Sequence, residues 1–561
     1  MKKSQVTERF GFSSQISVEH LPQLADSGVD ILVCNRPDGE AADQVGYEVL
    51  AEAAKGLGME PHLIAFKSGQ MQPQHVEQFK KLLAGDNKIH AFCRTGNRSF
   101  NLYAAAALAS GADADELQAQ ARKVEIDIAP LLKSPQPSAA RPAENSGAKR
   151  AFDVVIVGGG SAGVAVASSL QRRNGKLRIA ILDAASEHYY QPGWTMVGGG
   201  VFTAASTRRQ MQDIIPRGIN WIRSAAIGFD PEANEVEIAN GSRVHYGQLI
   251  VCPGLVLDWS AIDGLEDNLG RNGVTSNYRY DLAPYTWKLV ESMQSGKAVF
   301  TQPGMPIKCA GAPQKALYLS CDHWQRHSVL QNVEVDFFNA GGVLFGVSAY
   351  VPALQSYIDR YKANVHYGHT LTAIDGNERI ARFKAKDANA AEVTIEKQFD
   401  MIHVCPPQRA PEFVAKSSLS DAGGWLDVDP HTLRHKKFSN IWGLGDVMNT
   451  TNAKTMAAVR KQVPVVAQNL LACLESREPA WGYDGYGSCP LTVERGKIVL
   501  AEFGYGGKLL PTFPDWLIKG TKPTRTAWWL KKDVLPAVYW HGMLKGREWM
   551  AGAQPLETVS T

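Results

Sequence analysis

The stretch "FDVVIVGGGSAGVAVASSL", residues 152–170, restricts the possible folds of this chain more than any other segment. An apolar run, Val154 to Val157, leads into Gly158-x-Gly160-x-x-Gly163 and then into a helix of small residues. The next apolar run, "LRIAILD", ends in Asp183, twenty positions beyond Gly163. A lone glycine triplet is a weak signal. Here strand, turn, helix, strand and acid follow in the order of a dinucleotide-binding βαβ unit. The glycines permit the tight turn and a close backbone approach to a pyrophosphate. The helix N-terminus stabilises that anion, and the acid accepts from a ribose hydroxyl.

A second segment selects FAD over NAD as the dinucleotide. In "NIWGLGDVMNTTNAKTMAAVRKQ", residues 440–462, a strand runs into Gly445-Asp446 and a helix follows. An acid there can bond a ribityl chain, while the next helix aims its positive end at the flavin. Lys454 either adds charge at that point or is a solvated lysine at a helix start. NAD(P)H-dependent flavoenzymes carry a second glycine fingerprint mid-chain. Here the corresponding strand-to-helix turn reads "QPGMPIKCAGAPQK" and holds Cys309 instead. A thiol before a helix start favours its thiolate form. The expectation is a thiol-fed flavin with a nicotinamide site that has been lost.

The chain has 561 residues and a formal charge of +3, long enough for several domains, with no basic tract that would suggest nucleic acid. The eight cysteines are scattered without paired C-x-x-C spacing, which argues against a metal site or a disulfide framework and for a reducing compartment. The beginning, "MKKSQVTERFGF", has no apolar run of a secretory leader, and no segment reads as a bilayer span.

Four regions are expected. Residues 1–132 form an α/β unit, with "VDILVCNRP" and "KIHAFC" as buried strands and "SFNLYAAAALASG" as a helix. Residues 133–150, rich in Pro, Ala, Ser and charge, read as a linker with an end-to-end distance of roughly 20–25 Å if flexible. Residues 151–505 form a tandem Rossmann-like flavoprotein of the disulfide-reductase type, its second nucleotide fold within about 285–400. Residues 506–561 close the chain with "TAWWLKKDVLPAVYWHGMLKGREWMAG", where Trp and Tyr alternate with Lys and Arg. That mixture reads as an amphipathic monotopic anchor, and otherwise as a helical pair packed on the flavin domain or a dimer interface.

Several of these stretches together resemble sulfide:quinone oxidoreductases of the mitochondrial-type branch. They are "VVIVGGGSAG", "YYQPGWTMVGGG", "IKCAGAPQK", "HVCPPQRAP", "AGGWLDVD", "NIWGLGD", "YDGYGSCPL" and "IVLAEFGYGG". The resemblance implies an FAD enzyme on a membrane surface that oxidises sulfide, or a small thiol or persulfide, and passes electrons to quinone. It implies that Cys309 donates electrons to the flavin, that Gln191 contacts it, and that the backbone at Ala226 faces the adenine. It places the second redox cysteine directly after the Gly445-Asp446 pair, where this chain has Val447. Cys252 and Cys405, each after an apolar strand, stand as substitutes or as core cysteines; a solitary Cys309 is another option, and a drift to other thiol chemistry is a third.

The N-terminal stretch "HAFCRTGNRSFNLYAAAAL" delivers Cys93 from a strand into a loop that ends at Arg98 and a helix. Successive loop N–H groups can ring an anion there. The short Cys-x4-Arg loop resembles rhodaneses, which carry a sulfane sulfur, and the surrounding unit resembles a bacterial phosphatase-like family related to dual-specificity phosphatases. Sulfur transfer on Cys93 is favoured over phosphatase chemistry and over an inactive fold, and Asp38 reads as a turn residue rather than a general acid. The leading expectation is a bifunctional sulfur enzyme, cytoplasmic and peripheral to the inner face of the cell membrane, with a homo-oligomer as one option. The rivals are an NAD(P)H-dependent persulfide or disulfide reductase and a non-catalytic flavoprotein sulfur sensor.

Overall fold

The computed structural model describes residues 3–40, 44–66, 71–110, 112–124, 126, 128 and 151–559. The expected linker, 133–150, lies outside the described residues. The chain divides into two compact units, Met1–Gly147 and Ala148–Thr561.

In the first unit, β1 (Lys3–Gln5), β2 (Phe10–Ser13), β3 (Ile31–Cys34), β4 (Glu60–Leu63) and β5 (Ile89–Phe92) form one sheet in the order β1-β2-β5-β3-β4. All pairs are parallel except β1 with β2. The three inner strands β2, β3 and β5 are buried along their whole length, as continuous apolar runs covered on both faces should be. Helix α1 (Asn97–Ala109) follows β5, so Cys93 lies at the carboxyl end of a central strand and before a helix start.

The second unit starts with β6 (Ala151–Val157), α2 (Ser161–Arg173) and β7 (Ile179–Leu182), the predicted βαβ unit. A seven-stranded sheet grows around them with β8 (Asn220–Ile222), β9 (Ala226–Asp230), β10 (Glu235–Ile238), β11 (Arg243–Val251) and β17 (Ile441–Gly443). The order is β8-β7-β6-β11-β10-β9, and the far end of β11 also pairs with β17 in parallel. The glycine turn is as tight as its sequence suggests. Gly158 has φ +104°, and a Cβ on Gly163 would lie 1.8 Å from the Gly158 carbonyl oxygen, so any side chain there pushes α2 off the sheet.

A second, all-parallel sheet holds β12 (Val274–Thr275), β13 (Gly296–Gln302), β14 (Val333–Asn339), β15 (Asn364–Tyr367) and β16 (Met401–His403), in the order β12-β16-β13-β14-β15. Helix α3 (Ala312–Arg326) follows β13. The turn between them carries Cys309. The long helix α4 (Met456–Leu474) follows Gly445-Asp446, and the hairpin β18 (Gly487–Glu494) and β19 (Lys497–Phe503) then packs beside α3.

Part of the C-terminal region, residues 506–561, packs into the second unit. From Arg525 to Lys545 the chain is one irregular helix whose Ala527, Lys531, Tyr539, Trp540, Met543 and Leu544 are buried. Tyr539, Trp540, Met543 and Leu544 belong to the same apolar core as β6 and α2. The aromatic residues of this segment are thus divided: Tyr539 and Trp540 serve the core, while Trp529 is exposed, as are Trp516 and Trp549 at its flanks. Among the described residues no helix is long and apolar enough to cross a membrane.

Candidate active site

The site is built where the two nucleotide folds and the hairpin meet. Cys309 adopts a left-handed backbone, φ +51°, and its N–H donates to the Lys454 carbonyl at 2.9 Å. That bond ties the thiol's turn directly to the segment following Gly445-Asp446. The Cys309 sulfur lies 3.6 Å from the sulfur of Cys489 on β18. The contact needs Gly311, because a Cβ there would stand 2.8 Å from the Cys489 sulfur and 2.2 Å from a Leu491 methyl.

The partner of Cys309 is therefore Cys489, 180 positions away, and not the residue after Asp446. Val447 is fully buried in the core of the first nucleotide fold and has no part in sulfur chemistry. Cys252 does not replace it: the thiol donates to the Gly158 carbonyl at 3.6 Å, and burial pushes its pKa up. Cys405 lies in the small apolar cluster that touches Cys309, but burial pushes its thiol up to about 12.

The two sulfurs are unequal. A hydrogen bond from the Cys489 thiol holds Cys309 well below the ordinary thiol range, against the opposing effect of burial. The Lys315 ammonium, on α3 and 3.0 Å from the Cys309 sulfur, adds to it, and Lys531 contributes charge from the C-terminal segment. The same hydrogen bond raises Cys489, so Cys309 is the thiolate and Cys489 the proton donor. Lys531, itself buried, is lowered to about 7 by desolvation and by Lys315, and its Nζ donates to the Pro490 carbonyl at 3.4 Å. A disulfide requires a sulfur separation near 2.05 Å, so the present spacing is that of a dithiol poised to close.

The expected FAD contacts occupy consistent places. Asp183 accepts from the Gly159 N–H at 2.5 Å and from the Ala185 N–H at 2.7 Å, which points its carboxylate along the edge of the glycine turn. Its own N–H donates to the Ile222 carbonyl, and that strand leads through a short turn to Ala226 at the start of β9. Above Gly160 a Cβ would meet nothing within 4 Å, which leaves the open side of the turn that a pyrophosphate needs. Lys454 is buried, not solvated. Its Nζ donates to the Asp446 and Met448 carbonyls at 2.8 and 2.7 Å, lies 4.3 Å from the Trp425 ring centroid, and is lowered to about 8 by burial. Burial raises Asp446, opposed by Lys454 and Lys308. Lys308, next to Cys309, donates to the Gln191 side chain at 2.6 Å. Gly158, Gly160, Gly163, Asp183, Gln191, Gly445, Asp446 and Lys454 thus form a path from the glycine turn to Cys309, and this set fits FAD.

The turn from β13 into α3 lacks the glycine fingerprint of a second nucleotide site. It is spent on carrying Cys309, and the loop after β14 folds over α3, burying Leu344, Phe345 and Val347 in the core that holds Cys489, with the Gln314 amide donating to the Leu344 carbonyl.

In the N-terminal unit Cys93 is buried, and the Gly96 N–H donates to its sulfur at 3.2 Å. Arg98 does not present a free fork beside it. Its guanidinium donates to both oxygens of Glu40, at 2.8 and 2.7 Å, and to the Phe66 carbonyl at 2.7 Å, while Arg36 donates to the same Glu40 at 3.0 Å. Asp38 accepts from the Tyr47 N–H at 2.9 Å and caps the helix Tyr47–Gly56, the behaviour of a turn residue.

Sequence reasoning missed Cys489, Lys315, Lys531 and Glu40. Cys489 and Lys315 both lie in stretches that carry the family resemblance, "YDGYGSCPL" and "IKCAGAPQK", but nothing local marks them as partners. Lys531 and Glu40 left no signal.

Comparison with known proteins places both parts of the chain among known families. Residues 3–110 match the family described as beta-lactamase hydrolase-like protein, phosphatase-like domain, and residues 152–289 match pyridine nucleotide-disulphide oxidoreductase. A mitochondrial sulfide:quinone oxidoreductase of Dictyostelium discoideum is 39% identical over 402 residues, 71% of this chain and 87% of that protein. The corresponding protein of Mus musculus is 35% identical over 399 residues, 71% of this chain and 88% of its own length. The crystal structure of the sulfide:quinone oxidoreductase from the bacterium Aquifex aeolicus superposes with a TM-score of 0.60 at 17% identity, covering 72% of this chain and 92% of that one, a likeness of fold.

Proposed function

This chain belongs to the sulfide:quinone oxidoreductase family, and we propose that it oxidises sulfide at the Cys309–Cys489 pair, passes the electrons through FAD to quinone, and hands the sulfane sulfur to Cys93. The observation that carries the first part is the pair itself, 3.6 Å apart with Lys315 at 3.0 Å from Cys309.

Its electrostatic asymmetry assigns the roles. With the pair closed as a disulfide, hydrosulfide attacks the Cys489 sulfur. A new S–S bond forms there, the Cys309–Cys489 bond breaks, and Cys309 leaves as the thiolate that Lys315 and Lys531 stabilise. The products are a persulfide on Cys489 and a thiolate on Cys309. A nucleophilic thiolate then attacks the outer sulfur, taking it as a new persulfide and leaving Cys489 as a thiolate. Closing the pair again releases two electrons. The chemistry that FAD supplies at this place is acceptance of that electron pair and its delivery to quinone. Gly158, Gly160 and Gly163 would receive its pyrophosphate, Asp183 a ribose, and Asp446, Lys454 and Gln191 the flavin end.

Cys93 is the proposed acceptor within the chain, directly or through a small thiol; what supports it is the tether that raises its local concentration and the amide that faces its sulfur. Glu40 on Arg98 argues against phosphate, since a dianion would have to displace a carboxylate already bound to two arginines.

We place the protein on the inner face of the cell membrane, on the cytoplasmic side. Exposed Trp516, Leu517 and Trp529 support this reading: Thr526 donates to the Leu517 carbonyl at 3.1 Å, which brings the two short segments side by side, with Lys519 and Lys532 nearby in sequence. Anaerobic titration with sulfide, read on the flavin spectrum with and without a quinone analogue, tests the central claim. Bleaching by sulfide and recovery with quinone are expected; a spectrum unchanged by sulfide overturns it.

A further inference from the structure

The C-terminal segment does more than cover the flavin unit: it reaches into the dinucleotide turn. The Tyr539 hydroxyl lies 2.7 Å from the hydroxyl of Ser161, the first residue of α2, and 2.6 Å from Nε2 of His188. Tyr539 and His188 are both buried, and the His188 ring also hydrogen-bonds the Gly159 backbone. Desolvation lowers His188 to about 4, so the ring is neutral at physiological pH. The Tyr539 hydroxyl, which can both donate and accept, bridges the His188 ring and the Ser161 hydroxyl. One phenol thereby fixes the residues on both sides of Gly160, the residue whose open face would meet the pyrophosphate.

We propose that Tyr539 is the positioning residue that holds the glycine turn ready for FAD, and that the C-terminal segment acts as the clasp retaining the dinucleotide. The anchoring along α2 supports this. Ser168 donates to the Leu544 carbonyl at 2.8 Å, Ser169 donates to Glu548 at 2.7 Å, and Arg173 pairs with Glu548 at 2.7 Å. Tyr190 packs on Tyr539 at 4.8 Å between ring centroids. The same segment brings Lys531 to the sulfur pair, eight residues before Tyr539. A displacement of this one element loosens the dinucleotide and withdraws a charge from the thiolate together. Before any substrate arrives, the clasp preorganises N–H groups that would otherwise have to be ordered on binding.

The test reads FAD binding, so it is independent of sulfide turnover. In Tyr539→Phe the dissociation constant for FAD, measured by flavin fluorescence on the reconstituted full chain, is expected to rise roughly tenfold, the cost of leaving buried His188 unpaired and Ser161 free. The rise in melting temperature on adding FAD shrinks in parallel. Ser161→Ala weakens FAD too, and in the double variant the two effects are less than additive, because both remove one network. A dissociation constant within twofold of the parent, or an equal loss of stability with and without FAD, overturns the proposal and leaves Tyr539 a core residue. If Tyr539→Phe does not fold, Ser161→Ala decides alone by the same criterion.

Discussion

Cys309 and Cys93 occupy the same kind of place, a strand end before a helix, in two different units of one chain, yet their surroundings differ in kind. At Cys309 the positive charge is supplied by lysines that face the sulfur, and a second thiol donates to it. At Cys93 the positive charge belongs to Arg98, which interacts with the sulfur while its fork also holds both oxygens of Glu40. The first is an arrangement for forming and breaking sulfur–sulfur bonds with a stabilised leaving thiolate. The second holds a buried cysteine beside an arginine already paired with a carboxylate, which disfavours any multiply charged anion. A strand-end cysteine is thus only an address; the groups aimed at it decide its chemistry.

Removing the partner breaks the first site most completely. Cys489→Ser is expected to cut sulfide-dependent flavin reduction by on the order of 10³-fold or more, with the FAD absorbance retained, measured by anaerobic stopped flow. The same substitution at Val447 should change nothing in sulfur chemistry beyond what a buried core change does to stability. Cys93→Ser separates the two sites: flavin reduction by sulfide stays at the parental rate while transfer of sulfane sulfur within the chain falls roughly a hundredfold, to the level of untethered thiols. Transfer at the parental rate would remove Cys93 from the path.

Lys315→Met sharpens the account of the thiolate. The lysine holds the Cys309 pKa down, so the thiolate persists to pH values below the ordinary thiol range and is lost as pH falls through that lowered value. Without Lys315 the midpoint moves upward. Alkylation of Cys309 by iodoacetamide therefore shifts to higher pH, and flavin reduction at neutral pH slows about ten- to a hundredfold. An unshifted alkylation profile would mean that Cys489 alone sets the charge. The smallest effect is expected at Glu40→Gln. Freeing Arg98 from a partly exposed carboxylate should tighten binding of sulfate or vanadate to the N-terminal unit only a few-fold, read by titration calorimetry. No gain would mean that Glu40 does not hold the anion site closed.

The βαβ unit at 151–183 was legible because its signals are local: an apolar run, a turn that needs glycine, and a helix beside it lie within one short span. Cys309 was legible as a thiol before a helix for the same reason. The fate of the C-terminal aromatics was not. A stripe of Trp, Tyr and Lys satisfies a lipid boundary and a protein core equally well in composition, and only packing sorted Tyr539 and Trp540 into the core and Trp529 to the surface. Lys454 likewise reads as a solvated helix-start lysine until two carbonyls and the Trp425 ring are seen around it.

By itself, then, the sequence determined the glycine turn, the Gly445-Asp446 pair ahead of a helix, the absence of a second glycine fingerprint and a cysteine, Cys309, before a helix start, because each depends on residues near one another in the chain. Tertiary structure alone decided that Cys489 meets Cys309, that Lys531 charges the pair and that Tyr539 grips the glycine turn. Those contacts span 180, 222 and 378 positions respectively, distances over which no local propensity acts and which only the closure of the folded core can bring within hydrogen-bond reach or electrostatic range.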